Sequence, residues 1–145
     1  MAEAIMQQTL SGWGGMNSEV CDVFRPEKRR ALSELIQCKH SDSLIARGLG
    51  RSYGDTAVNG GSAVVDTTRL DRMLGFDPDE GLLECEAGVS LADIIDVFLP
   101  RGYFVPVTPG TKFVTVGGAI ANDVHGKNHH VDGTFCEFVE AFTLL

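Results

Sequence analysis

Apolar positions along the chain fall into short periodic blocks, separated by glycine, proline and acidic turns. Residues 19–24 (EVCDVF) alternate polar and apolar and predict a strand. Pro26 stands where a first helical residue would, followed by Glu27. Ala31, Leu32, Leu35 and Ile36 then form a stripe at helical spacing, with Lys28, Arg29, Arg30 and Glu34 on the polar side. This helix is expected to fade through Lys39, His40, Ser41 and Asp42. Leu44-Ile45-Ala46 predicts a second strand, Asn59-Gly60-Gly61 a turn, and Ala63–Asp66 a third strand. The pattern up to here is an α/β opening with a glycine-rich loop at the end of a strand.

Further on, Asp77-Pro78-Asp79-Glu80-Gly81 is a turn between Met73-Leu74 and Leu82-Leu83. Leu83, Cys85 and Ala87 alternate with Glu84 and Glu86, which predicts a strand wet on one side. Ser90 with Asp93 is a capping box, and Leu91, Ile94, Ile95, Phe98 and Leu99 repeat at i, i+3, i+4, i+7, i+8, so a helix runs until Pro100-Arg101-Gly102. Tyr103 to Val107 predicts another strand, and a short helix is expected near Gly117 and Gly118. Residues 1–15 show no periodicity and read as an arm or loop anchored by Trp13, with residues 1–14 as the arm and 15–145 as one domain. The end, Phe138 to Leu145, reads as a strand just begun, so a chain cut from a longer protein is expected.

Length and composition keep this picture globular: 145 residues with 43% hydrophobic and 22% charged content suit one domain with a core. A net charge of -8 argues against a nucleic-acid partner. Cys21, Cys38, Cys85 and Cys136 contain no C-x-x-C pair, which fits thiols in a reducing compartment. The N-terminus lacks the pattern of a signal peptide, and no apolar run approaches a membrane span, so a soluble, cytoplasmic protein is expected.

Candidate chemistry lies in two stretches. ARGLGRSYGDT, from Ala46 to Thr56, combines Gly48, Gly50 and Gly54 with Arg47, Arg51, Ser52 and Thr56, and with Leu49, Tyr53 and Asp55 between them. Closely spaced glycines let the backbone turn with φ > 0 and approach a ligand, and turned N–H groups make a concave anion site suited to a pyrophosphate. A glycine-rich surface turn is the alternative. The second stretch, TPGTKFVTVGGAIANDVHGKNHH, holds small residues (Gly117, Gly118, Ala119, Ala121) that admit either something flat or a close-packed helix. His125 and His129 are four apart, but Gly126 and Asn128 argue against a helix there, and no acidic or thiol partner completes a metal set. A polar loop aimed at a ligand, with His125 and Lys127 as donors, and a solvated loop both remain open.

Together, RGLGRSYGD and GGAIANDVHGKNHH resemble the PCMH-type FAD-binding domain of the vanillyl-alcohol oxidase superfamily, and most of all its branch acting on decaprenylphosphoryl ribose. Ser11 to Gly14 (SGWG) fits as well. The resemblance implies an α+β fold, a small βαβ subdomain followed by the start of a second α/β subdomain. It implies that Ala46 to Thr56 hold the FAD pyrophosphate, that Gly110, Thr115, Val116, Gly117 and Gly118 line the flavin and its ribityl chain, and that Asn122, Asp123, Val124 and His125 continue that wall. Tyr53, His125 and Lys127 would face the flavin edge or the substrate. Many members carry a flavin-linked histidine where this chain has Arg51, and an arginine stays protonated and is no such nucleophile, so FAD is expected to be non-covalent. The implied activity is oxidation of a sugar or alcohol CH–OH to a carbonyl, with a polyprenyl-phosphate pentose as substrate and a reductase partner completing an epimerisation. An oxidase of another alcohol or aldonolactone, or a nucleotide-binding module without turnover, are the alternatives. Ending where it does, the chain is expected to be inactive alone and to hold FAD weakly or not at all.

Overall fold

The computed structural model describes residues 5–38 and 41–145, so the helix end expected at Lys39 and His40 lies outside the described residues. The chain forms two compact units, the first ending at Leu70 and the second beginning at Asp71. Both mix strands and helices, the α+β class expected.

In the first unit, β1 (Met6–Ser11) and β2 (Ser18–Phe24) form an antiparallel hairpin, followed by α1 (Arg29–Gln37), β3 (Leu44–Arg47) and β4 (Ala63–Asp66). The sheet order is β1-β2-β4-β3, with β4 parallel to both neighbours. Its run Ala63-Val64-Val65 is apolar and buried because a central parallel strand is covered on both faces, with Asp66 at its end. On one face Val64 packs with Cys21 and Val23; on the other, Ala63, Val65 and Phe24 pack with Leu35 of α1. Burying Leu35 stabilises the helix on the sheet by about 1.5–3 kcal/mol.

Two expectations need correction here. The stretch read as an arm is, from Met6 to Ser11, an edge strand, and Trp13 beyond it, although 56% exposed, holds to the chain through its backbone N–H. MQQTLS shows no alternation because the backbone ladder to β2 holds it, while Leu10 alone among its side chains packs on the core. Helix α1 begins at Arg29, with Lys28 as its N-cap, instead of at Pro26. Arg25 Nε lies 2.8 Å from Asp66 Oδ2 and Glu27 pairs with Arg69, so the side chains of residues 25 and 27 are drawn to the end of β4 and residues 25–27 stay outside the helix.

In the second unit, β5 (Met73–Asp77) and β6 (Leu82–Cys85) form an antiparallel hairpin with an irregularity between Met73 and Gly75. Asp77 closes the turn by accepting from the Asp79 and Glu80 N–H groups at 2.9 and 3.2 Å. Helix α2 (Leu91–Phe98) starts at the expected capping box: Ser90 Oγ accepts from Asp93 N–H at 3.1 Å, and Asp93 Oδ2 accepts from Ser90 N–H at 3.1 Å. Leu91, Ile94 and Phe98 are buried with Val89, and Phe76 and Tyr103 close over them. A 3-10 turn (Leu99–Arg101) and Gly102 at φ +89° end the helix.

The strand expected at Tyr103 to Val107 does not form. Tyr103 N–H instead donates to Phe98 O at 3.1 Å, Val107 is buried, and Pro106 has no N–H for a ladder. The strand expected near the end is likewise absent: residues Phe135–Phe138 make a 3-10 turn, and 139–145 have no regular structure or strand to pair with among the described residues. Between these segments lie two short helices, α3 (Val116–Ala121) and α4 (His129–Asp132).

Candidate functional site

The glycine-rich stretch lies in the first unit, in the connection from β3 to β4. Ala46 sits in β3 opposite Val65, and Arg47 ends the strand. The Arg47 guanidinium turns back on its own loop: Nη1 donates to Ala57 O at 2.7 Å and Nη2 to Ser11 O at 2.8 Å. Gly50 has φ +64°, and a Cβ there would overlap that guanidinium, so the position requires glycine on both counts. The segment after β1 holds the far side of the loop. Trp13 N–H donates to Ser52 O at 2.7 Å, Gly12 sits against Gly54 O, and Arg51 Cζ lies 4.2 Å from the centroid of the Trp13 ring. Val58 N–H donates to Asp55 O at 2.8 Å and closes the turn. Gly48 is half-buried, and Leu49, Tyr53, Asp55 and Thr56 are exposed. A Cβ on Gly54 would meet nothing within 4 Å, which leaves its backbone open to close approach.

The second stretch lies in the second unit. Thr115 is buried and caps α3, its Oγ1 accepting from Gly118 N–H at 3.2 Å. Val116 N–H and Gly117 N–H donate to Val89 O and Ala87 O, both at 2.8 Å. A Cβ on Gly117 would press on Ala87 at 2.9 Å, so Gly117 is small for packing inside the unit. Gly118 meets only the Thr115 hydroxyl, and Gly110 meets nothing within 4 Å. Of the glycines expected against a flat ligand, Gly110 thus presents open space beside its backbone, whereas the N–H and O of Gly118 are taken by Thr115 and Asn122.

After α3, Asn122 Nδ2 donates to Gly118 O at 2.8 Å, and Asp123 takes φ +42°, a left-handed conformation that aspartate tolerates better than most residues. Its carboxylate accepts from Cys136 N–H at 3.1 Å. That bond, helped by the Thr134 and Cys136 side chains, holds the carboxyl below its ordinary range, and the same carboxylate raises the Cys136 thiol. Val124 N–H donates to Ala119 O and Val124 O accepts from Phe135 N–H at 2.9 Å. The excursion carrying the histidines is therefore stapled at its base. Gly126 lies against Thr108 O, and Asn128 Nδ2 donates to Asp132 Oδ2 at 2.7 Å. His129 Nδ1 is 3.0 Å from Gly126 O, and the His125 and His129 rings meet edge to face at 5.1 Å. His125 and Lys127 are exposed on this loop. Among the described residues, no group of three or more His, Cys, Asp or Glu could hold a metal ion.

Each loop is thus ordered within its own unit. Sequence reasoning did not find the inward turn of Arg47, the grip of Gly12 and Trp13 on the loop, or the Asp123–Cys136 staple. Glycines flanking Trp13 were the available signal for the second of these.

Residues 22–145 match the family described as an FAD-binding domain. The chain belongs to that family. FAD is accordingly its cofactor. Over 139 residues, 94% of this FAD-binding domain chain and 30% of the relative, it is 43% identical to a decaprenylphosphoryl-beta-D-ribose oxidase of Mycolicibacterium smegmatis. A D-lactate dehydrogenase of Anaerostipes hadrus is 30% identical over 86 residues, 59% of this chain and 18% of that protein. The fold is shared with a cholesterol oxidase from Brevibacterium sterolicum, at TM-score 0.74 and 20% identity, covering 85% of this chain and 25% of the oxidase. The FAD-binding domain thus spans under a third of the length of these proteins.

Proposed function

We propose that this chain is the FAD-binding part of a flavin-dependent oxidoreductase that oxidises a sugar or alcohol CH–OH to a carbonyl, acting on a polyprenyl-phosphate pentose. The observation that carries the reading is the 43% identity to a decaprenylphosphoryl-beta-D-ribose oxidase across 94% of the chain. Bound FAD supplies a hydride acceptor that no side chain can provide. The loop from Ala46 to Thr56 would hold the pyrophosphate through backbone N–H groups. Gly110, Thr115 to Gly118 and Asn122 to His125 would lie along the flavin, and Tyr53, His125 and Lys127 would face the substrate. His125 and Lys127 sit exposed on a stapled loop, able to donate hydrogen bonds to a sugar hydroxyl without ordering the backbone first. A reductase acting on the carbonyl product, and a cytoplasmic setting suited to four free cysteines, complete the proposal. The D-lactate dehydrogenase relative favours a second reading, in which the oxidised alcohol belongs to a hydroxy acid.

Arg51, on the pyrophosphate loop, cannot form a covalent link to flavin, so FAD is held non-covalently. Acid precipitation of the flavin-loaded protein should leave all yellow colour in the supernatant; colour in the pellet would overturn this. Substrate class is tested with the full-length protein, by following flavin bleaching under anaerobic conditions with a polyprenyl-phosphate ribose and, separately, with D-lactate. Bleaching by the hydroxy acid alone would replace the pentose reading by the second one.

A further inference from the structure

The sequence presents Arg47 and Arg51 as two charges beside an anion, yet the structure gives Arg47 a different task. Its two terminal nitrogens bridge carbonyls from separate segments, Ser11 at the end of β1 and Ala57 at the far side of the loop. Gly50, at φ +64°, lies directly on this guanidinium. The same β1 extension grips the loop a second time, through Trp13 N–H to Ser52 O and Gly12 against Gly54 O. Residues 11–13 and the loop 47–57 are thereby locked around one side chain, and Thr67 Oγ1 donates to Arg47 O from a third segment.

From this geometry we infer that Arg47 is a positioning residue for the cofactor. Acting with Trp13, it fixes the backbone of residues 50–57 in its binding form before FAD arrives and does not itself touch a phosphate. The inference rests on the FAD reading above. A guanidinium suits this role because its planar fork reaches two carbonyls at once, whereas a lysine is a point donor on a flexible stem. Fixing the loop in advance removes an ordering cost from binding, and losing that fix appears as lost affinity.

Trp13 is the single tryptophan of the chain and reports on the clasp directly. The experiment compares Arg47→Met and Arg47→Lys with the wild-type chain, using iodide quenching of Trp13 in the apo protein and FAD titration at low and high salt. Because Trp13 is already 56% exposed in the clasped loop, both variants should raise its iodide quenching further, and they should weaken FAD by roughly tenfold or more, the fold-change expected for lost charged hydrogen bonds. The loss should persist at high salt. If Arg47→Lys keeps wild-type affinity at low salt and loses it at high salt, Arg47 is a phosphate contact and the inference fails. Unchanged Trp13 quenching in Arg47→Met, in a variant with wild-type circular dichroism, also overturns it. FAD binding by neither this chain nor the full-length protein overturns the functional reading instead, and the quenching result still decides the clasp.

Discussion

At the scale of single residues, the site is defined less by side chains that reach outward than by atoms whose neighbours leave no room. Gly126 shows this most simply. Its φ lies outside the left-handed region, yet a Cβ would run into the carbonyl oxygen of Thr108. Replacing it by alanine should cost about 1–3 kcal/mol through overpacking, read as a lowered denaturation midpoint at unchanged m-value. A Gly126→Ala protein as stable as wild type would show that the two loops are not held together as described. Asp123 is constrained in another way: its left-handed backbone and its carboxylate both serve the turn at Cys136.

Among the elements, helix α2 is the one most fully written in the sequence. Its capping box, its apolar stripe and its Pro-Arg-Gly stop are all local, and the structure returns each of them. Ser90→Ala should lower stability by about 1 kcal/mol, because the Asp93 N–H loses its acceptor while Asp93 loses the reciprocal arrangement. A thermal melt with no shift would contradict this. Strand β1 stands at the other extreme. MQQTLS carries no period, and only its ladder to β2 makes it a strand, so nothing local could reveal it. The stretch Tyr103 to Val107 fails in the opposite sense: it is apolar enough for a strand but has no partner, and Pro106 interrupts any ladder. The two glycine-bearing stretches stood out because glycine spacing is a local signal. The partners of Arg47 and Asp123 were not, because Ser11 and Cys136 are far away in sequence.

For the whole molecule, the net charge of -8 and, among the described residues, three depressed carboxyls shape the response to acid. Glu86 is held low chiefly by its hydrogen bond to Arg72, whose Nε lies 3.0 Å away, Glu34 by its hydrogen bond to Arg30, and Asp123 by Cys136 N–H. A carboxyl depressed in the folded state binds protons less readily there than in the unfolded chain. Its contribution is therefore present above the ordinary value, 4.5 for glutamate, and lost as pH falls through the folded one. Melting temperature should accordingly fall steeply below about pH 4.5. Glu86→Gln should melt lower than wild type at pH 7 and lose less on acidification. Parallel curves for the two proteins would remove Glu86 from the explanation.

The order of strands in the first sheet has a consequence for how the chain comes to be folded. Strands β2 and β3 are never neighbours; β4, the last of the four to be synthesised, lies between them. Until residues 63–66 leave the ribosome, a β1–β2 hairpin can form but β3 has no ladder to join. Because the glycine-rich loop is the tether between β3 and β4, its ends are fixed only when β4 docks. Such non-local parallel pairing is slow compared with hairpin formation. The glycine-rich loop is thus among the last parts of its unit to take shape.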